Sequence, residues 1–416
     1  MDQSQNTSAH ILSLADRCVK CGLCLPQCPT YALTANENES PRGRIALIQG
    51  WLTGELAPTS QLTQHIDQCL LCRRCERVCP SVVPYGEIID QSKALLNEKI
   101  NTRFSLSSFI SNSSIKLLLN KNFSGILISS LRLLQKTGFF YLAQKSGLFK
   151  LFGLQRLMSY LPKLDKPIKT KNFYPATNSD KGNIALFTGC LSKQLEPATV
   201  NASIKLLNRL GYGVYIPEQQ VCCGALHFHE GNKQQAVTFA NANIDVFNQQ
   251  KNISHVISLV NGCTSQLKEY PQLDTTKTFK PEIKDIIEFL TEVEWPDNIA
   301  LNPISKNVAL QIPCSLQNSL RAEDKLLSLI NRIPNLSIDT IYNRCCGAAG
   351  SYFLRHPTFS DQLKETAVSQ LNQASPDLII SSNIGCALQL KAGLTQSKNT
   401  PLVIHPVVLL EQQISE

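Results

Sequence analysis

No apolar run in the chain approaches the roughly 18 uncharged residues that a membrane-crossing helix needs, which excludes an integral helical membrane protein. The opening "MDQSQNTSAHILSLADR" has Asp2 where an export signal carries basic residues, and no long apolar core follows. A cytoplasmic protein is expected, attached peripherally at most to the inner face of the cytoplasmic membrane. The sequence also lacks a P-loop, a G-x-G-x-x-G after a strand and a nucleophile-elbow G-x-S-x-G, and so has no recognisable nucleotide or hydrolase site of its own. Acidic residues are missing from one long stretch. Arg103 to Leu164 holds nine Lys and Arg but no Asp or Glu, more positive charge than the whole chain's net +8. That stretch is rich in Leu, Ile and Phe and reads as basic amphipathic helices, suited either to an anionic membrane surface or acidic partner, or to packing on neighbouring domains. Nucleic acid is not an expected partner, because one apolar-rich stretch is not the basic face of such binders.

What the chain has in quantity is cysteine, sixteen in 416 residues, in a length that accommodates several domains. Thiols in a chain without an export signal imply a reducing compartment and availability to metal. Eight of them form two runs, "CVKCGLCLPQCP" (18–29) and "CLLCRRCERVCP" (69–80), both C-x2-C-x2-C-x3-C-P. This is the bacterial ferredoxin spacing, in which three cysteines turn toward one iron-sulfur cube and the fourth serves the other. The expected ligand sets are therefore crossed. Cys18, Cys21, Cys24 and Cys79 take one [4Fe-4S] cluster, and Cys69, Cys72, Cys75 and Cys28 take the second. A structural zinc closes with four ligands, which eight cysteines in two such runs exceed.

The other eight fall at Cys190, Cys222, Cys223 and Cys263, then at Cys314, Cys345, Cys346 and Cys386, with offsets of 124, 123, 123 and 123. Flanking segments repeat too: "NIALFTGC" with "NVALQIPC", "LLNRLG" with "LINRIP", and "CCGA" in both. This is a duplicated module. Short apolar runs ("IALFT", "GVYIP", "HVISLV") alternate with helical patterns such as Ile204, Leu207 and Leu210, predicting parallel strands with crossover helices. The first and last cysteine of each module are expected to end strands, and the paired cysteines to follow the middle strand, where Gly224 or Gly347 frees the backbone to turn. Sites in such sheets gather at the carboxyl ends of strands, so all four thiols of a module can converge. They could hold a metal ion or cluster, cycle as dithiol and disulfide, or pack as small apolar groups.

The expected fold class is α+β multidomain. It comprises a helical two-cluster ferredoxin-like domain (1–98), a basic helical linker (99–176) and two duplicated α/β cysteine-rich modules (177–300 and 301–416). His227 and His229, close to Cys223, are read as hydrogen-bonded structural residues. Arg42 and Arg44 of "SPRGRIALI" either donate toward cluster sulfurs or belong to a helix opening at Pro41.

Two ferredoxin runs, "PRGRI" between them, "CCGA" followed by "HFHEGN", and "CCGAAGSY" followed by "RHP" together resemble the iron-sulfur subunit of glycolate oxidase, over nearly the whole chain. Iron-sulfur subunits of D-lactate and glycerol-3-phosphate dehydrogenases and of heterodisulfide reductases share the layout. The resemblance implies an electron-transfer subunit of a glycolate dehydrogenase, with FAD on a partner subunit that oxidises glycolate to glyoxylate and a membrane quinone as acceptor. It also leaves an alternative in which the "CCG" modules are themselves the thiol or metal centre of a disulfide or quinone reductase. Heterodisulfide-reductase modules have a fifth cysteine, at whose place this chain has Gln266 and Gln389.

Overall fold

The structure is a computed structural model that describes residues 3–100, 121–151, 154–177, 180–250, 252–273, 275–394 and 400–415. The first hundred residues are helical. Helices Gln3–Ala15, Pro41–Leu52, Ser60–Asp67 and Tyr85–Ile100 bury Ile11, Ile48, Ile66, Ile88 and Ile89 against one another. The two cysteine runs are the loops between these helices. Pro41 does open a helix: the Ser40 side chain caps it by accepting from the Gly43 N–H at 3.0 Å.

The basic segment follows. Residues 103–120 lie outside the described residues. The rest forms helices Lys121–Lys136, Phe139–Lys145, Leu148–Leu151 and Gln155–Ser159. Its far end is pinned to the second module, where the Arg156 guanidinium pairs with Asp361 at 2.7 Å and donates to the Phe353 carbonyl at 2.6 Å. Among the described residues no helix is long and apolar enough to cross a membrane.

Two sheets carry the duplicated half. The first comprises β1 (Phe173–Tyr174), β2 (Asn183–Phe187), β3 (Gly213–Tyr215), β4 (Ile253–Ser258) and β5 (Glu282–Asp285), in the order β1-β3-β2-β4-β5. All its pairings are parallel except that of β1, so this sheet begins ahead of residue 177. The second comprises β6 (Asn307–Gln311), β7 (Ser337–Tyr342), β8 (Leu378–Ser381) and β9 (Leu402–Ile404), in the order β7-β6-β8-β9, all parallel. Without β1 the two orders are the same, as duplication requires. Strands buried on both faces, such as β8 "LIIS", read as continuous apolar runs because helices cover each side.

The two modules pack on each other reciprocally. The helix after β5, Ile286–Glu292, lies against Glu323–Ile330, which follows β6; the helix after β9, Pro406–Gln413, lies against Pro197–Arg209, which follows β2. One continuous core results. Leu186, Leu206, Ile257 and Leu290 of the first module share it with Leu310, Leu326, Ile380 and Leu410 of the second.

Candidate functional site

The cysteine runs are wound by an unusual backbone. Lys20 and Leu71, at equivalent places in the two runs, have φ of 54° and 50°, and Gly22 and Arg73, again equivalent, have 88° and 54°. Left-handed residues alternating with others turn successive N–H groups inward and make a concavity that favours anions. Non-glycine residues held in that region are typical of functional loops. The Leu71 N–H donates to Cys69 Sγ at 3.4 Å.

Cys18, Cys21, Cys24 and Cys79 line one cavity of about 310 Å³, beside Arg42. Cys28, Cys69, Cys72 and Cys75 line another of about 300 Å³, beside Thr30, Arg44 and Tyr85. Each run thus contributes three thiols to one cavity and its fourth to the other. Among the described residues no three His, Cys, Asp or Glu side chains close on a point fit for a single metal ion. Four thiols standing around an open space suit a polynuclear iron-sulfur group. The cavities differ in setting. Cys21 is exposed, whereas Cys28, Cys69 and Cys75 are buried.

A buried cation stands beside the second cavity. Arg44, 1% exposed, donates to Glu39 Oε2 at 2.5 Å, to the Glu39 carbonyl at 2.7 Å, to Thr30 Oγ1 at 3.1 Å and to the His65 carbonyl at 2.6 Å. Burial works against its charge, but Tyr85, Cys69, Cys28 and Glu39 outweigh that and hold the guanidinium firmly protonated. Thr30 Oγ1 lies 3.2 Å from Cys28 Sγ, and the Tyr85 hydroxyl donates to Cys69 Sγ at 3.7 Å. The Arg44 network therefore reaches Cys28 through Thr30, while Tyr85 serves Cys69 separately. Arg42, at the other cavity, instead donates to the Lys20 carbonyl at 3.1 Å and pairs with Glu37. Among the described residues neither guanidinium donates to a thiol, but the backbone N–H of Arg42 does, to Cys24. Sequence reasoning singled out both arginines but missed Glu39 and His65, for which only the adjacency of Glu39 to "SPRGR" was a signal.

In each duplicated module the four cysteines meet at the carboxyl edge of the sheet. Cys190 and Cys314 each follow a strand, β2 or β6, by three residues. The last cysteine departs from expectation. Cys263 and Cys386 are the third residues of helices Asn261–Lys268 and Ile384–Leu394, not strand ends, because each chain turns out of β4 or β8 and starts its helix at once. Gly224 and Gly347 have φ of 86° and 83°, and their N–H groups donate to Cys222 and Cys345 Sγ at 3.4 Å. Cys223 and Cys263 sulfurs are 3.4 Å apart, and Cys346 and Cys386 sulfurs 2.9 Å. Hydrogen bonds from Cys190 and Cys223 pull the Cys222 thiol down, and one from Cys386 does the same for Cys346. Burial and the same contacts push their neighbours up. Each quartet thus holds one thiol below its neighbours, and thiolates are the metal-binding form.

The fifth position differs between modules. Gln389 donates to the Ser360 hydroxyl at 2.9 Å. Gln266 is 1% exposed, one helical turn beyond Cys263, and neither end of its amide finds a partner among the described residues. His229 bonds Asp90 of the ferredoxin-like part at 3.1 Å, while His227 is buried against Phe239 and helps stabilise the Cys222 thiolate.

Residues 14–83 match the family described as 4Fe-4S dicluster domain, and residues 184–268 and 308–391 each match that described as Cysteine-rich domain. The chain is 30% identical to the probable glycolate oxidase iron-sulfur subunit of Bacillus subtilis (strain 168), over 91% of this chain and 88% of that one. It is 28% identical to the glycolate oxidase iron-sulfur subunit of Escherichia coli (strain K12), over 97% and 95%. Lactate utilization protein A of Bacillus pumilus (strain SAFR-032) is 23% identical over 55% of this chain and 99% of its own length. With the dicluster loops, two cysteine-rich modules and near full-length similarity together, this iron-sulfur protein belongs to the family of glycolate oxidase iron-sulfur subunits.

Proposed function

We propose that the chain carries electrons away from a partner subunit that bears FAD and oxidises a 2-hydroxy acid, glycolate to glyoxylate, and passes them toward a membrane quinone. The observation that supports this most directly is the crossed lining of two thiol cavities, one with an exposed thiol, Cys21, and one whose thiols Cys28, Cys69 and Cys75 are buried. Cys18, Cys21, Cys24 and Cys79 would hold one [4Fe-4S] cluster and Cys69, Cys72, Cys75 and Cys28 the other. Bound there, the clusters supply one-electron oxidation and reduction. Arg44, through Thr30, places positive charge beside the buried set and favours its reduced form. The quartets Cys190, Cys222, Cys223, Cys263 and Cys314, Cys345, Cys346, Cys386 would each hold a further thiolate-bound group, polynuclear rather than a single ion.

Peripheral membrane attachment has its own support. Leu133, Phe139, Tyr141, Leu142 and Leu151 are more than half exposed on the basic helices, in company with Lys136, Lys145 and Lys150. Exposed apolar side chains interspersed with lysines on short helices match an interfacial surface better than a domain linker.

The test is reconstitution. The anaerobically purified chain should contain at least about eight iron atoms for the two cubes. It should oxidise no 2-hydroxy acid by itself and should support dye reduction only with its flavoprotein partner. Turnover of glycolate by the flavin-free chain would sink the assignment.

A further inference from the structure

The two cysteine-rich modules repeat each other in sequence and strand order, yet they do not stand in the same relation to the ferredoxin-like part. The apolar cluster around the first quartet, with Cys222, Cys223, Ala236, Ala240, Phe247 and Tyr270, draws every member from residues 185–283. That around Cys345 is mixed: Leu70, Tyr352 and Leu363 are buried with it, and Leu33 and Cys72 pack against them. Hydrogen bonds cross at the same place. Asn318, 6% exposed and one turn beyond Cys314, donates to the Cys72 carbonyl at 2.8 Å, and the Tyr352 hydroxyl donates to the Gln68 carbonyl at 3.1 Å. Arg74 donates to the Asn343 carbonyl at 3.2 Å, and Arg77 pairs with Glu323. The first module meets the ferredoxin-like part through polar groups outside the apolar cluster of its quartet, His229 with Asp90, the Glu230 carbonyl with Asn97, and Glu269 with Arg73.

We infer that only the second module is wired to the ferredoxin-like clusters, that electrons cross between Cys72 and the quartet Cys314, Cys345, Cys346 and Cys386, and that Asn318 is the residue positioning this junction. The inference rests on the reading that these cysteines hold redox centres. Tunnelling through protein falls steeply with distance, so packed, hydrogen-bonded contact selects the route. The balance is simple. One electron leaves the reduced cluster at Cys28, Cys69, Cys72 and Cys75, and the thiolate-bound centre of the second module gains it, with no bond made or broken and no proton moved. The first quartet lies off this route and is free for another task.

The experiment is electron paramagnetic resonance of the full chain, reduced anaerobically with dithionite, alongside iron analysis. In the wild type, the signal of the cluster at Cys28, Cys69, Cys72 and Cys75 should be broadened beyond what the neighbouring cube alone causes, by a spin in the second module, and this excess is the broadening followed in the variants. Cys345→Ser should abolish the broadening while Cys222→Ser, its counterpart, preserves it; Asn318→Leu should diminish it with iron content unchanged. Loss of broadening in Cys222→Ser with retention in Cys345→Ser would overturn the inference. So would the absence of broadening in a wild-type chain holding both cubes. A wild-type chain with fewer than about eight irons would instead overturn the underlying reading, and the inference with it.

Discussion

Gly22 and Arg73 occupy one place in two copies of the same turn, and the backbone asks the same of both. A Cβ on Gly22 would meet the Arg42 guanidinium at 3.0 Å, on a residue with φ of 88°. Left-handed backbone costs an L-residue about 1–2 kcal/mol, so Gly22→Ala should lower stability by that amount and loosen the cavity it borders. Denaturation midpoints together with iron content would check this, and an unchanged midpoint would show that the turn relaxes freely. Arg73 tolerates the same strain because its guanidinium is tied to Glu269 of the first module. Gln266 and Gln389 make a second contrast. Gln389→Met leaves the Ser360 hydroxyl only its bond to the Gly347 carbonyl and should cost about 0.5–1.5 kcal/mol. Gln266→Met removes a buried amide with no partner among the described residues, and its melting temperature should hold or rise. If Gln266→Met instead lost metal, the amide would be serving the group held by the first quartet.

At the scale of elements, the last helix of each module starts on a buried titratable cap. Asp285 accepts from the Ile287 N–H at 3.0 Å and His405 from the Val407 N–H at 3.2 Å. Burial raises the Asp285 carboxyl to about 6 despite hydrogen bonds from Thr264 and Asn261. Burial lowers the His405 imidazole to about 4. The signs oppose. An acid with a raised folded pKa gains stability as pH falls through 6 toward its unfolded value. A histidine with a depressed one loses stability as pH falls from its unfolded value near 6.5 toward 4. His405→Asn retains a capping acceptor without the titration, so between pH 7 and 5 it should lose less stability than wild type, by about 2 kcal/mol. Thermal melts at the two pH values measure this, and parallel losses would refute it. Strands and helices were legible here from apolar runs and 3.6-residue spacing. The placement of Cys263 and Cys386 inside helices was not: the first helix starts after Val260 without a side-chain cap, and Asn383, which caps the second by accepting from the Gly385 N–H at 2.9 Å, reads in sequence as part of a strand end. The caps were missed for a related reason, since Asp285 and His405 share a place but no residue type.

For the whole molecule, the duplicated half should unfold as one body, because its two sheets share a core. Val407, Leu409 and Leu410 are buried, and Lys205 reaches Glu411 at 3.1 Å, so the C-terminal helix closes the first module rather than its own. Deleting 406–416 removes five buried aliphatic side chains, Val407, Val408, Leu409, Leu410 and Ile414, worth about 1.5–3 kcal/mol each, comparable with the roughly 5–15 kcal/mol typical of a whole domain. Limited proteolysis of the truncated chain should then cut within Pro197–Arg209, some two hundred residues from the deletion. Protection there would show the first module to be self-sufficient. Sixteen thiols and a repeat of about 123 residues are local or periodic features that sequence displays openly. Which module faces the ferredoxin-like part is decided by Asn318, Tyr352 and Arg74, scattered residues with no pattern, and only the folded chain discloses it.

The reciprocal helix packing also says how such a molecule can arise. A lone module would leave bare the face of its first helix that its twin's last helix covers, so a single copy is whole only when paired with another about a two-fold axis. Joining the two copies in one chain ends the requirement that they be identical. From then on each quartet can change without its twin, and symmetry in the scaffold coexists with a division of labour between the sites.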